Sequence, residues 1–460
     1  MLTRLRLLAL MVAAATAVGI GGHACRSNSR VDPPNIVVIT LDTTRADHLG
    51  CYGYFRDTSP VIDRLAARSI VFERCIVPMA TTLPTHTSIF TGTYPIEHGV
   101  LANLTHGGTR FTPSPDLRSL PQVASEAGYQ TAAFVSAAPL KRGSGMEIGF
   151  DVFDQPSTSR REAAATNKKI FEWLPSLDER PYLLWVHYYD PHWPYRSGSA
   201  YRTDEALETY LAERRVSDTT PRPLAGLIED SRAITNSYDG EIRTMDSELG
   251  KLLERLEGLP GWDNTVVLLI GDHGEGLGQH GHAAHGGTWN EQLWAPMMIR
   301  VPGEPARRVP QVVSAVDALP TLLGLIDAPE LDVLLSQASG RDVLAADFEP
   351  APVFGQDTGR LSGKPGYRYS VTTGDWKYFS VRVGEDEVRE ELYDLTTDPH
   401  ELHDLLAGAD QSAGALRALR GFLIDQIRTQ ERRALELRRD EPTELDPELI
   451  EQLRSLGYVE

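Results

Sequence analysis

Four short apolar runs punctuate the first two-thirds of the chain, and polar residues close most of them. Residues 35–41 read NIVVITL and lead into Asp42. Residues 131–135 follow the turn signal Ala127-Gly128, residues 182–186 lead into His187, and residues 265–270 (TVVLLI) lead into Gly271-Asp272-His273. Their length and their Val, Ile and Leu content predict fully buried strands of a parallel sheet, which read as unbroken apolar runs. Between them the period changes. Ile242, Met245, Leu249, Leu252 and Leu253 recur at helical spacing, and Ser59-Pro60 has the cap-then-proline order of a helix start, with Ile62, Leu65 and Ala66 on the helix it opens. Strand and helix alternate, so the expected fold class is α/β: a doubly wound, mostly parallel central sheet with helices on both faces. Three of the four runs end in Asp or His at what would be the C-terminal edge of that sheet. Open parallel sheets bind ligands there, so residues distant in sequence would meet at one place.

The texture changes after residue 328. Residues 371–383, with a turn signal at Gly374-Asp375, predict antiparallel strands, and Leu392-Tyr393-Asp394-Leu395 a partner strand. Residues 415–437 predict a long helix whose mixed Arg and Glu mark a solvated face. The expected division is a main domain over 34–327 and a smaller C-terminal subdomain of antiparallel strands and a long helix over 328–460. Ahead of both, residues 1–25 read as an export signal: Arg4 and Arg6 form a basic start, and residues 7–20 a nearly unbroken apolar run too short and too early to span a bilayer comfortably. Cys25 follows Gly22-His23-Ala24, a weak match to a lipoprotein cleavage site. Lipid attachment at Cys25 and plain cleavage both remain open, and both place the chain in the periplasm or at the cell surface. A membrane is expected as a partner only through that anchor.

Composition narrows the function classes. The 460 residues carry 64 Asp plus Glu against 45 Lys plus Arg, a formal net charge of -19. Nucleic-acid binding needs an electropositive face and is not expected. Three cysteines (Cys25, Cys51 and Cys75) make neither a disulfide framework nor a thiolate metal cluster. Cys51 and Cys75 could pair in an oxidising compartment, but nothing in the sequence fixes their geometry.

Candidate chemistry gathers in three segments. Four of the thirteen histidines are His273, His280, His282 and His285. A Gly- and His-rich loop directly after a buried strand argues against a packing element, and Asp272-His273 offers a carboxylate and an imidazole side by side, as a divalent cation would want. An isolated Asp-His-Gly would more often be a capped turn. Residues 81–88 (TTLPTHTS) are rich in hydroxyls. Their composition favours a helix cap over a nucleophile held in the field of a helix N-terminus. His187, Asp190 and His192 place two imidazoles and a carboxylate at the end of the third run, where a lone histidine would more often be a satisfied core residue.

At this point the sequence resembles a known family. PNIVVITLDTTRADHLGCYG, TSPVIDRLA, TLPTHTSIFTGTYPIEHG, DPHWPY, YDGEIRTMD, GDHGEGLGQHG and HGGTWNEQ occur in order, followed by DALPTLLGL, GDWKY, ELYDLTTDPHE and LRSLGYV. Together they look like the sulfatase branch of the alkaline phosphatase superfamily, over nearly the whole mature chain. The resemblance implies a metal site of Asp42, Asp272 and His273 with Thr82, which stands where the family places its nucleophile. It implies that His192 contacts the leaving-group side of the substrate. His285 falls where sulfatases have a lysine and two-metal relatives a histidine ligand. His187 and Asp190 are further candidates for a second metal or for substrate binding.

The departures matter as much. Sulfatases place Cys or Ser, x, Pro, x, Arg at the nucleophile and oxidise the Cys or Ser to formylglycine. Here the stretch is Thr82-Leu83-Pro84-Thr85-His86, and threonine cannot give that aldehyde because its Cβ carries a methyl group. His86 replaces the Arg that steadies the aldehyde hydrate and is taken with Thr82 and His192 as catalytic. Thr43 replaces the second Asp of the usual pair, and Ser136-Ala137-Ala138 replaces the sulfate-contacting Lys-Trp-His. The expectation is an exported, metal-dependent hydrolase of sulfate or phosphate esters with a threonine nucleophile, acting on a small-molecule, glycan or lipid ester. The metal is one divalent ion or two: carboxylates alone favour Ca or Mg, added imidazoles Zn or Mn. A transferase that moves a phospho-group onto an envelope lipid or glycan is the alternative, as is a binding protein that keeps the fold without the reaction. Loops 105–117 and 197–228 are expected to wall the pocket.

Overall fold

Residues 35–41 form strand β1 (Asn35–Leu41), every side chain of which is buried. The computed structural model describes residues 33–104, 117–196, 200–216, 231–357, 368–382, 388–407 and 413–437. Residues 1–25 of the expected export signal with Cys25, residues 105–116 of one expected pocket loop, and residues 197–199 and 217–228 of the other lie outside them. The remaining strands of the main sheet are β2 (Ile70–Ile76), β3 (Gln130–Phe134), β4 (Val152–Asp154), β5 (Tyr182–Tyr188), β6 (Thr265–Gly271), β7 (Trp294–Arg300) and β8 (Arg307–Ser314). They lie side by side in the order β4-β3-β5-β1-β6-β7-β2-β8. All neighbours are parallel except β7, which runs antiparallel to both β6 and β2.

Alternate side chains of the central strands feed two separate cores, one on each face. Ile36 and Val38 of β1, with Val266, Leu268 and Ile270 of β6, point to one side. Val37, Ile39 and Leu41, with Val267 and Leu269, point to the other. Both faces are therefore covered, which is why these strands read as continuous apolar runs. Each fully buried aliphatic side chain contributes ~1.5–3 kcal/mol. The first core is closed by the helices Thr82–Thr91, Leu120–Glu126 and Ala318–Gly324, the second by Pro60–Ala66, Ala163–Trp173 and Ser231–Glu257. On the last of these Ile234, Tyr238, Ile242, Met245, Leu249 and Leu252 are buried along one stripe, as its apolar spacing requires. The fold is the α/β doubly wound arrangement that the sequence predicts.

Strands β2, β7 and β8 were not apparent in the apolar pattern. Glu73 and Arg74 interrupt β2, Pro296 sits inside β7, and β8 opens on Arg307-Arg308. β5 also continues through His187 to Tyr188, two residues beyond its apolar run.

A second, antiparallel sheet is ordered β12-β11-β10-β9, from β9 (Val353–Gln356), β10 (Arg368–Thr372), β11 (Trp376–Arg382) and β12 (Val388–Asp394), with the helix Ala413–Leu437 beside it. It is tied to the main body by a buried lysine of β11 that also holds an ion pair. Lys377 Nζ lies 3.1 Å from Glu401 Oε1 and donates to Asn290 Oδ1 at 2.7 Å. Cys51 and Cys75 are free thiols. No helix among the described residues is long and apolar enough to cross a membrane.

Candidate active site

Strands β5, β1 and β6 are neighbours at the centre of the sheet, so the segments that leave their C-terminal ends converge. Thr40 of β1 pairs with His187 of β5, and Leu41 with Gly271 of β6. One residue on, the Asp42 N–H donates to Tyr188 O at 2.9 Å and the Asp272 N–H to Leu41 O at 3.1 Å, which sets the two aspartates side by side. Gly274 comes next because the chain there runs against Glu291: an added Cβ would stand 2.1 Å from Glu291 O.

Asp42, Asp272 and His273 are fully buried, and their ligand atoms lie within 4.8 Å of one another. The hydrogen bonds around them are arranged so that one atom of each is left over. Asp272 Oδ1 accepts from the N–H groups of Thr43 at 3.0 Å and His273 at 2.7 Å, leaving Oδ2 without a partner. His273 donates its Nδ1–H to Gly274 O at 2.9 Å, which puts the lone pair on Nε2, also without a partner. Asp42 Oδ1 is unpartnered too. A buried polar atom left unpaired costs ~1–3 kcal/mol, so three converging acceptors describe a socket for a cation. Glu275, buried and with an unpartnered Oε2, adds a third carboxylate to the field. Burial first, and then repulsion from Asp272 and Glu275, pushes the Asp42 carboxyl well above the usual carboxylate range. Burial does the same to Asp272, against the N–H groups that donate to it. Burial, then neighbouring His285, lowers His273 well below an ordinary histidine and keeps it neutral, the form that ligates. Two carboxylates and a neutral imidazole suit a divalent cation.

Thr82 is the first residue of the helix Thr82–Thr91, which Thr81 precedes in extended conformation and Gly92 ends at φ +68°. Its hydroxyl is buried and unpartnered, and it sits at the positive end of the helix dipole. One turn on, His86 Nδ1 lies 2.8 Å from Thr82 O and 3.7 Å from Asp272 Oδ2, which presses the start of the helix against the carboxylate cluster. Burial lowers the His86 pKa to about 4.

A sulfatase family model matches residues 34–328 of the chain. The chain belongs to the sulfatase family. Its relatives include iduronate 2-sulfatase of Mus musculus, 23% identical across 86% of this chain and 95% of that protein. Solved structures with the same fold include the phosphonate monoester hydrolase of Agrobacterium radiobacter (TM-score 0.65, 22% identity, covering 86% of this chain and 96% of that one). Another, determined with its substrate D-glucosamine-2-N,6-O-disulfate, superposes with a TM-score of 0.70 at 19% identity over 87% of this chain and 98% of that one. The sulfatase-family assignment makes the chain an ester-bond hydrolase.

In this sulfatase-family chain the histidine-rich loop splits in two. His285 lies near His273 (ring centroids 4.4 Å apart, tilted) and edge-on to His192 (5.1 Å), and its Nδ1 lies 3.3 Å from Glu275 Oε1. His280 does pack: it lies flat on Trp289 at 3.9 Å and bonds Glu291 and Glu401 O, tying the loop to the second sheet. His282 is exposed. His192 is buried, with its Nδ1 on Trp193 O and its ring against Tyr189. His187 Nε2 lies 3.2 Å from Asp42 Oδ2. Asp190 is placed differently from the other candidates. Both its oxygens accept from the Ala163 N–H at 3.0 Å, at the start of the helix Ala163–Trp173, and it is absent from the two clusters among the described residues whose atoms could hold a cation. Its pKa is raised to about 7, mainly by burial.

Two contributors, Glu275 and Tyr238, escaped the sequence reading, and Thr43 entered it only as a departure from the family pattern. Glu275 stands in the same loop as the histidines, and its place two residues after His273 was the available signal. Thr43 adopts φ +46°, rare for a β-branched residue, so that its N–H can reach Asp272. Tyr238, on the helix Ser231–Glu257, donates to Thr43 O at 2.6 Å and accepts from the Arg45 N–H at 2.9 Å, holding that turn in place.

Proposed function

We propose that this chain is an exported, divalent-cation-dependent hydrolase of phosphate or sulfate esters in which Thr82 is the nucleophile. The observation that carries the reading is the convergence of buried, unpartnered atoms: Asp42 Oδ1, Asp272 Oδ2 and His273 Nε2 beside a helix that begins with the unpartnered Thr82 hydroxyl. Asp42, Asp272, His273 and Thr82 would hold the cation. When bound, it supplies positive charge that favours the Thr82 alkoxide and offsets the charge developing on the ester's non-bridging oxygens.

Thr82 Oγ attacks phosphorus or sulfur in line, the bond to the leaving oxygen breaks, and that oxygen takes up a proton. Water then attacks the phosphorylated or sulfated threonine and frees the hydroxyl. The helix N-terminus favours the anionic group throughout. The sulfatase resemblance sets His192 on the leaving side, with His285 beside it at 5.1 Å between ring centroids. Burial, and then the nearby His285, hold His192 far below its ordinary pKa, so it becomes a proton donor only when the anionic ester is beside it. His86 and His187 pack against each other, His86 Nδ1 3.7 Å from Asp272 Oδ2 and His187 Nε2 3.2 Å from Asp42 Oδ2. Threonine lacks the aldehyde route of formylglycine, and hydrolysis of a phosphothreonine needs no such route, so phosphorus chemistry stands beside sulfur chemistry here. The relatives' named substrates include sulfated sugars, which supports a small-molecule or glycan ester as the substrate class. Export rests on the basic and apolar pattern of residues 1–25.

The test is a panel of aryl phosphate monoester, phosphate diester, phosphonate monoester and aryl sulfate, run on cation-loaded protein with and without an added alcohol. The expected outcome is release of the aryl alcohol with water as acceptor, from at least one ester. Turnover only with the added alcohol would make the chain a transferase. A loaded protein inert to the whole panel would make it a binding protein.

A further inference from the structure

The two oxygens of Asp42 have different fates. Oδ1 is buried without a partner and faces the cation socket, whereas Oδ2 lies 3.2 Å from His187 Nε2. His187 is fully buried near the end of β5, directly across from Thr40 in β1. Its other ring nitrogen, Nδ1, accepts from the Ser136 N–H at 3.3 Å. A backbone N–H can only donate, so Nδ1 must hold the lone pair. A neutral imidazole has one N–H, and that proton is therefore on Nε2, aimed at Asp42. The Ser136 backbone is itself fixed: its carbonyl accepts from the Arg161 N–H at 2.9 Å, and its hydroxyl is 2.7 Å from Thr166 Oγ1.

We infer that His187 is a positioning residue, not a ligand: its Nε2–H holds Asp42 Oδ2 and so presents Oδ1 to the cation. This rests on the reading of Asp42 as a cation ligand. Histidines and carboxylates around metal ions are commonly oriented by such outer hydrogen bonds, and losing one typically costs 10–100-fold in metal affinity. The inference also decides the status of a second cluster. His86, His187 and Asp272 bring their ligand atoms within 4.8 Å of one another, a spacing that would suit another cation. Ligation through His187 Nε2 would require stripping its proton while Nδ1 still accepts from Ser136, leaving an anionic imidazolate. His86 differs: its Nδ1–H donates to Thr82 O, which leaves the lone pair on the buried, unpartnered Nε2, so His86 keeps a nitrogen able to ligate. The hydrogen bonds thus take His187 out of that second ligand set and assign it to support the cation at Asp42. Ser136 lies where the sulfatase resemblance sets a sulfate-contacting segment, so here the backbone of that segment orients a histidine.

The experiment titrates Mn2+ into the metal-stripped full chain by calorimetry and measures ions per chain after gel filtration, for wild type, His187→Leu and His187→Gln. The expected result is a 10–100-fold weaker affinity in His187→Leu with the number of bound ions unchanged. His187→Gln should recover most of the loss, since its amide N–H reaches where Nε2–H does. If His187→Leu does not fold, His187→Asn, whose amide stops short of Asp42, takes its place with the same expectation. Unchanged affinity in the Leu or Asn variant would overturn the inference. So would the loss of one ion per chain in both the Gln variant and the Leu or Asn variant, which would make His187 a ligand. A wild-type chain that binds no Mn2+ would instead overturn the cation reading on which the inference rests.

Discussion

Thr82→Ala is expected to lower kcat on any ester the chain turns over by roughly 10^4–10^6-fold, as removal of a covalent nucleophile does. The fold should survive. The Thr82 hydroxyl makes no hydrogen bond, the capping position belongs to Thr81, and alanine is the better helix former. Cation content should fall little, because Asp42, Asp272 and His273 still converge. Thr82→Ser keeps the hydroxyl at the same place and should retain activity within roughly 10²-fold, a small loss beside that of the alanine variant. The check is steady-state kinetics on the three proteins with ions per chain measured on the same samples. Equal turnover in the alanine variant would remove Thr82 from the chemistry.

Removing the cation should destabilise the protein, and the size of the effect should depend on pH with a predictable sign. The stripped chain holds Asp42 and Asp272 buried beside Glu275, and burial raises the first two carboxyls well above the ordinary range. In the unfolded chain they titrate near ~4. Between those values the folded, stripped form binds more protons than the unfolded one, so its stability is greatest below the unfolded values and is lost as pH rises through the folded ones. The loaded chain behaves oppositely at this site. Its ligands must be ionised carboxylates and a neutral His273, so affinity weakens as pH falls. Adding the cation at 100 times its Kd should restore ~2.7 kcal/mol at neutral pH and much less at acid pH. Asp190, raised to about 7, and Asp246, raised to about 6, give the same stripped-state sign but sit outside the cluster. Their contribution cancels when loaded and stripped melting curves are subtracted. Thermal melts with and without chelator from roughly pH 5 to pH 8 make the comparison. A difference that grows toward acid pH would contradict the account.

The residues that were legible in the sequence are those whose role is written in local pattern. β1 and β6 are unbroken apolar runs because both faces of the sheet are covered, and the polar residue that closes each run is the one at the functional edge. That rule set Asp42, Asp272 and His273 at one edge of the sheet, where the structure brings them together. It could not say which way a side chain turns after the strand ends. Asp190 comes after β5 as Asp42 comes after β1, yet its oxygens are taken by the Ala163 N–H, an element far away in the chain. His280 shares a loop with His285, but an indole face from Trp289 claims it. The tautomer of His187 is set by a backbone N–H across the sheet, and the strained turn at Thr43 by a tyrosine nearly two hundred residues later in the chain. These are tertiary choices between chemically equal neighbours, and local spacing carries no signal for them. β2, β7 and β8 were hidden for a simpler reason: charged residues or a proline interrupt strands near one side of the sheet, where burial is less complete.

The central claim is that a divalent cation sits among Asp42, Asp272 and His273 next to the Thr82 hydroxyl. Diffraction at the manganese absorption edge, from crystals grown with Mn2+, tests it most directly. The account predicts one strong anomalous peak bounded by Asp42 Oδ1, Asp272 Oδ2, His273 Nε2 and Thr82 Oγ, at ordinary ligand distances of ~2.0–2.6 Å. A protein that crystallises with those four atoms in place and no peak between them, or with its peak elsewhere, would contradict it.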